Sequence, residues 1–293
     1  MTAKKVVLIT GCSDGGLGSA LAIAFHQTGQ YRVIATARTL SKLKETRALG
    51  IEDLELDVLS QSSISACAQS LSALTSGRLD ILVNNAGAGY NMPVLDIDLD
   101  EARKVFELNV FSLITVTRAF TPLLLKTPHA KVVNNISVAA YVCLPVQGTY
   151  NASKAAANSM TENLRLELKP FGVQVIALIT GSVKSNFFKN VPQAGDQTSA
   201  QLPDDSIYRV VPGGLKIMRE SEAILMTDSV DASTWAKQVV GDLSKSKPPH
   251  QIWRGTSAGL LRYGCLLPVG TFDAKLMKLS TLGELENALA AGR

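Results

Sequence analysis

With 293 residues, 46% of them hydrophobic and 18% charged, the chain is long enough to bury one large core. Its net charge of +4 is spread over both halves, which excludes a nucleic-acid footprint. The four cysteines (Cys12, Cys67, Cys143, Cys265) show no paired spacing, which argues against a disulfide framework and a metal site and fits a reducing, cytoplasmic setting.

The N-terminal apolar run is too short for a secretion signal, and no stretch reaches the roughly 18 consecutive apolar residues expected of a spanning helix. The first predicted element is a strand over 6–10. It runs into Gly11-Cys12-Ser13-Asp14-Gly15-Gly16-Leu17-Gly18 and a helix over 17–28. Gly-Cys-Ser-Asp-Gly spells the elbow that exposes a nucleophilic serine in hydrolases. The same glycines suit a turn that lays a dinucleotide's phosphates on a helix N-terminus. Both readings predict strand, tight turn and helix, so the decision lies downstream.

Further strands are predicted over 32–37, 54–58, 81–84, 131–136 and 173–179, and helices over 41–48, 61–75, 99–125 and 151–168. Continuous apolar strands joined by helices predict an α/β fold, a doubly wound parallel sheet of Rossmann type. One catalytic domain is expected over 1–250, with ligands at the C-terminal strand ends. Within it, the polar, Gly- and Pro-containing stretch 181–230 reads as a substrate-covering lid, followed by a helix over 231–243. Residues 251–293 form a C-terminal extension.

A hydrolase needs a histidine late in the chain, and only His250 stands in the right order. The dinucleotide reading gathers more. Asn84-Asn85-Ala86-Gly87 ends the fourth strand with a small turn through which backbone can approach a bound ring. Ser137 ends the fifth strand. Tyr150 and Lys154 stand at i,i+4 on one helix face. A phenol with a pKa of about 10 exchanges protons poorly at neutral pH, and a neighbouring ammonium is expected to lower it. Ser137 can hold a substrate oxygen while a hydride reaches its carbon. Ser13 then belongs to a phosphate cradle.

With these motifs the chain resembles the short-chain dehydrogenase/reductase family over roughly residues 5–190. The resemblance implies that Tyr150 is the general acid in reduction. Lys154 would lower its pKa and bind the nicotinamide ribose, and Ser137 would orient the carbonyl. Asn109 matches the asparagine that holds a water in the family's proton relay. The cofactor contacts implied are Gly11, Ser13, Gly16, Leu17, Gly18, Asp57, Val58, Asn85, Ala86, Gly87, Tyr150, Lys154, Gly181, Val183 and Ser185. Thr180 departs from the proline usual in the family. A homo-oligomer, dimer or tetramer, is a further expectation of the resemblance.

The second strand ends without a carboxylate and is followed by Arg38, with Lys42 close behind. A guanidinium there suits the 2′-phosphate of NADPH, whereas the charge of Asp14 favours NADH. The balance favours NADPH. Tyr90, Met92, Val138, Tyr141, Val142, Leu144, Phe187, Phe188 and Tyr208 are expected to supply an apolar pocket for a small-molecule carbonyl substrate. The alternatives are a cofactor-binding protein without redox turnover and an alcohol dehydrogenase running oxidatively.

The tail Ile252–Leu279 is apolar and studded with cations. It is read equally as closing the pocket, dimerising, or touching a membrane surface. Together with Ser206-Ile207-Tyr208-Arg209 it resembles the fungal NADPH-dependent 1-acyldihydroxyacetone-phosphate reductase branch, which implies a peripheral location at endoplasmic reticulum or lipid droplets. The general reductase motifs are also similar to those of 17β-hydroxysteroid dehydrogenases, and a secondary-metabolite ketoreductase could share the framework. Arg209, Lys216 and Arg219 are candidates for meeting a substrate phosphate.

Overall fold

The structure, a computed structural model, describes residues 4–187, 202–210, 228–280 and 282–291. Its parallel strands are β1 (Lys5–Ile9), β2 (Tyr31–Ala37), β3 (Glu52–Glu55), β4 (Ile81–Asn84), β5 (Lys131–Ser137), β6 (Gln174–Thr180) and β9 (Gln251–Arg254). Among the described residues they form one sheet in the order β3-β2-β1-β4-β5-β6-β9. Two short strands, β7 (Val183–Lys184) and β8 (Val230–Asp231), pair separately. The order reverses between β1 and β4, which opens a crevice at the C-terminal strand ends.

Alternate residues of each strand feed opposite layers. Val7, Ile9, Val33 and Val133 pack towards α1 (Leu17–Gln27) and α7 (Ala232–Leu243). Val6, Leu8, Leu82 and Val132 pack towards α3 (Gln61–Thr75) and α5 (Ser112–Leu125). Such two-sided burial explains why the strands read as continuous apolar runs. Ser60 starts α3 by accepting from Ser63 N, as an N-cap serine does.

The helix expected over 99–125 is composite. α4 (Leu99–Phe106) passes through a π-helical turn, Glu107–Phe111, into α5. By length and composition alone Leu99–Leu125 could cross a membrane. Here it lies on the sheet, with Val116, Phe120 and Leu124 in the core. The Tyr/Lys pair sits on α6 (Gly148–Leu168).

Two expectations need correction. The third strand lies at Glu52–Glu55 rather than 54–58. Beyond it Asp57 N donates to Ser63 Oγ and the Asp57 carboxylate accepts from Leu59 N, which turns the chain into α3. The stretch 251–254, grouped with the tail on sequence, is strand β9 beside β6, with Ile252 and Trp253 buried. After β9 come α8 (Ala258–Gly264), α9 (Asp273–Leu279) and α10 (Leu282–Ala291); the short α2 between β2 and β3 is Lys44–Ala48. Phe188, Lys216 and Arg219 lie outside the described residues.

Candidate active site

The glycine turn links β1 to the N-terminus of α1. A Cβ at Gly18 would collide with the Gly11 carbonyl oxygen, so only glycine lets α1 start this close to the turn. Gly16 N donates to Ser13 O at 3.0 Å, and Leu17 begins the helix. The sulfur of Cys12 is buried beneath, and burial pushes its thiol up to about 12, which keeps it inert. The turn is bound from the β4 side as well: Thr10 Oγ1 accepts from Asn85 N at 2.9 Å and Ala86 N at 3.0 Å. Gly87 follows at the crevice.

Asp14, whose charge is weighed against that of Arg38, is held by the backbone of the next helix. Asp14 accepts from Lys44 N at 3.1 Å and Glu45 N at 2.9 Å, so its carboxylate serves the first turn of α2. Arg38 is exposed, and no carboxylate among the described residues pairs with it. Asp57 and Val58 lie in the turn after β3, half-buried and buried respectively.

On the opposite flank, α6 brings Tyr150 and Lys154 against the end of β5. Ser137 Oγ accepts from Ala139 N at 3.1 Å and acts on the Tyr150 phenol, opposing the effect of burial there. Lys154 is buried; its Nζ donates to the Asn135 carbonyl at 2.9 Å and lies 5.9 Å from the Tyr150 ring centre. Burial pushes Lys154 down to about 8. The phenol departs from the sequence expectation. Burial pushes Tyr150 up to about 12, and the opposing effect of Ser137 is smaller. Asn109 sits in the π-helical turn, a feature common at functional sites. Its Nδ2 donates to Ser153 Oγ at 3.0 Å as well as to Ala88 O.

The far wall is the segment after β6. Gly181 N donates to Arg254 O, and Ser182 exchanges backbone bonds with Thr256. Val183 is buried, and Ser185 Oγ accepts from Phe187 N. Asn186 closes onto the glycine turn: its N donates to Gly15 O at 3.0 Å and its Nδ2 to Asp14 O at 3.1 Å. Sequence reasoning missed Asn186 and Thr10. Thr10 carries a local signal, its place before Gly11, but Asn186 carries none.

The apolar residues divide. Phe187 stacks beside Tyr150 with ring centres 5.8 Å apart. Tyr141, Val138 and Val142 are half-buried near the β5 end, and Tyr141 packs on Trp253 of β9. Tyr90 and Met92 are core, clustered with Val105, Val146 and Leu202. Tyr208 and, from the tail, Leu282 and Leu285 pack on that cluster. Leu144 is buried. The Arg209 guanidinium donates to Leu202 O and pairs with exposed Asp204. A cleft of about 560 Å³ lies at the other end of the sheet, around Lys4, Tyr31 and Arg32, and holds none of these residues.

The short chain dehydrogenase family model matches residues 5–196. The chain belongs to the short-chain dehydrogenase/reductase family. This short-chain dehydrogenase/reductase is 44% identical to a family member from Pestalotiopsis microspora, over 98% of this chain and 97% of that one. It is 37% identical to the NADPH-dependent 1-acyldihydroxyacetone phosphate reductase of Schizosaccharomyces pombe, over 93% of each. A short-chain dehydrogenase structure from Streptomyces avermitilis superposes with TM-score 0.75 at 27% identity, covering 97% of this chain and 98% of that one. One from Burkholderia cenocepacia, in complex with NADP, gives 0.71 at 25% identity over 94% and 98%. This short-chain dehydrogenase/reductase is therefore an oxidoreductase of an NAD(P)-binding family.

Proposed function

We propose that this enzyme reduces the carbonyl of an apolar substrate with NADPH. The reading is carried by one juxtaposition: Ser137, Tyr150 and Lys154 meet across the crevice from a glycine turn whose Asp14 is engaged elsewhere and whose neighbour Arg38 is exposed. The turn fits a dinucleotide, because Gly18 keeps α1 tight against Gly11 and leaves backbone at the helix N-terminus for phosphates. Gly11, Ser13, Gly16 and Leu17 would hold the pyrophosphate, Arg38 the 2′-phosphate, and Asp57 and Val58 the adenine. Asn85, Ala86 and Gly87, with Lys154, would flank the ribose, and Gly181, Val183 and Ser185 the carboxamide.

NADPH, when bound, would supply the hydride that the carbonyl carbon takes up. Ser137 holds the carbonyl oxygen, and Tyr150 gives that oxygen its phenolic proton, which yields the alcohol. Lys154 stabilises the phenolate left behind, and Asn109 keeps the path for the returning proton in place. The high pKa of Tyr150 suits this direction, since the phenol stays protonated until the oxygen acquires charge. The substrate class we favour is a lipid-derived ketone such as an acylated dihydroxyacetone phosphate. The name of the S. pombe relative and the apolar flank around Phe187 and Tyr141 support it.

The test is a fluorescence titration with NADPH and NADH, followed by NADPH consumption with an acylated dihydroxyacetone phosphate and with a phosphate-free ketone of equal chain length. Tighter NADPH binding that is lost in Arg38→Asp supports the reading. Equal binding of both cofactors, or no turnover of either ketone, removes it.

The tail supports a peripheral contact with a lipid surface. Leu260, Tyr263, Leu266, Leu267 and Val269 are all exposed on and after α8, beside Arg262. Exposed Phe111, Met160 and Leu166 on the long helices are the face through which we expect a homo-oligomer to form.

A further inference from the structure

Along the C-terminal edge of the sheet one hydrogen-bonded chain crosses four adjacent strands. Thr10 and Gly11 follow β1, and their carbonyl oxygens accept from Asn85 Nδ2 at 2.9 and 3.2 Å. Asn85, just past β4, accepts through Oδ1 from Asn135 Nδ2 of β5 at 2.9 Å. Asn135 in turn accepts through Oδ1 from Thr180 Oγ1, at the end of β6, at 2.6 Å. The order β1-β4-β5-β6 is the order of the sheet itself.

The chain has one direction. The Asn85 nitrogen must face two carbonyls, so its oxygen faces Asn135. The Asn135 nitrogen is then committed, and its oxygen can be satisfied only by a donor. Thr180 supplies that donor through its hydroxyl at the end of β6. Its side chain is buried, so a lost partner would be felt. The main-chain oxygen of the same Asn135 accepts from Lys154 Nζ at 2.9 Å. Gly181 and Val183 follow Thr180 directly. One residue, Asn135, thus bonds Asn85 on one side, Thr180 on the other, and Lys154 through its main-chain oxygen.

We propose that the chain Thr180–Asn135–Asn85 sets the span between the glycine turn and the 181–183 backbone, and so holds the two halves of a bound dinucleotide in register with Lys154. Thr180 is a positioning residue that acts through Asn135. The proposal rests on the NADPH reading above.

The test is NADPH titration, read by nicotinamide fluorescence, on wild type, Thr180→Val, Thr180→Ser, Asn135→Leu and the Thr180→Val/Asn135→Leu double variant. Thr180→Val is expected to bind about tenfold more weakly, with less emission enhancement, while Thr180→Ser stays within about twofold of wild type. The double variant is expected to bind no more weakly than Asn135→Leu, because both act through one chain. Wild-type affinity in Thr180→Val, a serine variant as weak as valine, or fully additive losses would each overturn the proposal. If Thr180→Val does not fold, Thr180→Ala against Thr180→Ser makes the same comparison. Wild type that binds neither NADPH nor NADH overturns the functional reading instead, a different result from wild-type binding with unaffected variants.

Discussion

Asn109 grips Ala88 by both of its peptide groups: Oδ1 accepts from Ala88 N at 3.0 Å, and Nδ2 donates to Ala88 O at 2.8 Å. The same nitrogen reaches Ser153 Oγ on α6, one residue before Lys154. The π-helical turn therefore ties the Asn85-Ala86-Gly87 loop to the helix that carries the acid. Asn109→Ala is expected to cost about 1–3 kcal/mol of stability in urea denaturation and to lower turnover more than NADPH affinity. Unchanged stability would show that Ala88 is held by other means.

Tyr150→Phe removes one oxygen and leaves the ring beside Phe187. NADPH consumption should fall to background while the NADPH titration stays near wild type. Residual turnover within about tenfold of wild type would move the proton donor elsewhere.

Lys154 gives a pH signature in the cofactor-free protein. Its folded pKa is lowered from 10.5 to about 8 by burial, so between those values the unfolded chain binds more protons. Its contribution therefore makes stability rise with pH from about 8 to 10.5. Burial also lowers Lys131, so wild type must be compared with Lys154→Met, which keeps every other group. The unfolding free-energy difference between the two proteins should shift in favour of wild type as pH rises through this window. A difference independent of pH would mean that Lys154 is solvated.

Gly15 stands at φ +69°, and a Cβ there would collide with Asn186 Nδ2. Gly15→Ala should cost about 1 kcal/mol from backbone strain and push Asn186 off Asp14 O. Adding Asn186→Ala should recover the part of the melting-temperature loss that comes from the collision. No recovery would leave strain as the whole effect.

Asp242 on α7 accepts from Arg254 of β9 at 2.8 Å and from Lys245 at 2.6 Å. Its own desolvation opposes ionisation, but these two cations hold its carboxyl below the ordinary 3.8. Stability from this group is present above that value and is lost as pH falls below it. With both cations partly exposed, Asp242→Asn should cost about 1 kcal/mol at neutral pH and little near pH 2. Equal losses at both pH values would assign the effect to packing.

The tail's lipid contact has a direct check. Vesicles containing anionic phospholipid should float wild type but not Leu266→Asp/Leu267→Asp, because the substitution places charge on the apolar surface. Equal flotation of both proteins would remove the contact.

The sequence by itself determined the local units. Apolar runs marked six of the strands within a few residues, since burial on both faces leaves no alternation to misread. The glycine turn and the Tyr150–Lys154 pair were legible because strand-turn-helix and i,i+4 spacing are properties of a few neighbouring residues. What joins these units was decided only in the tertiary structure. β9 is four residues long and reads as tail until it pairs with β6. Asn186 lies 172 residues from Asp14, and Thr180 lies 45 from Asn135. No periodicity encodes contacts at such separations. The same holds for the state of Tyr150: its partner was visible in the spacing, but burial, which only the packed chain creates, decides its pKa.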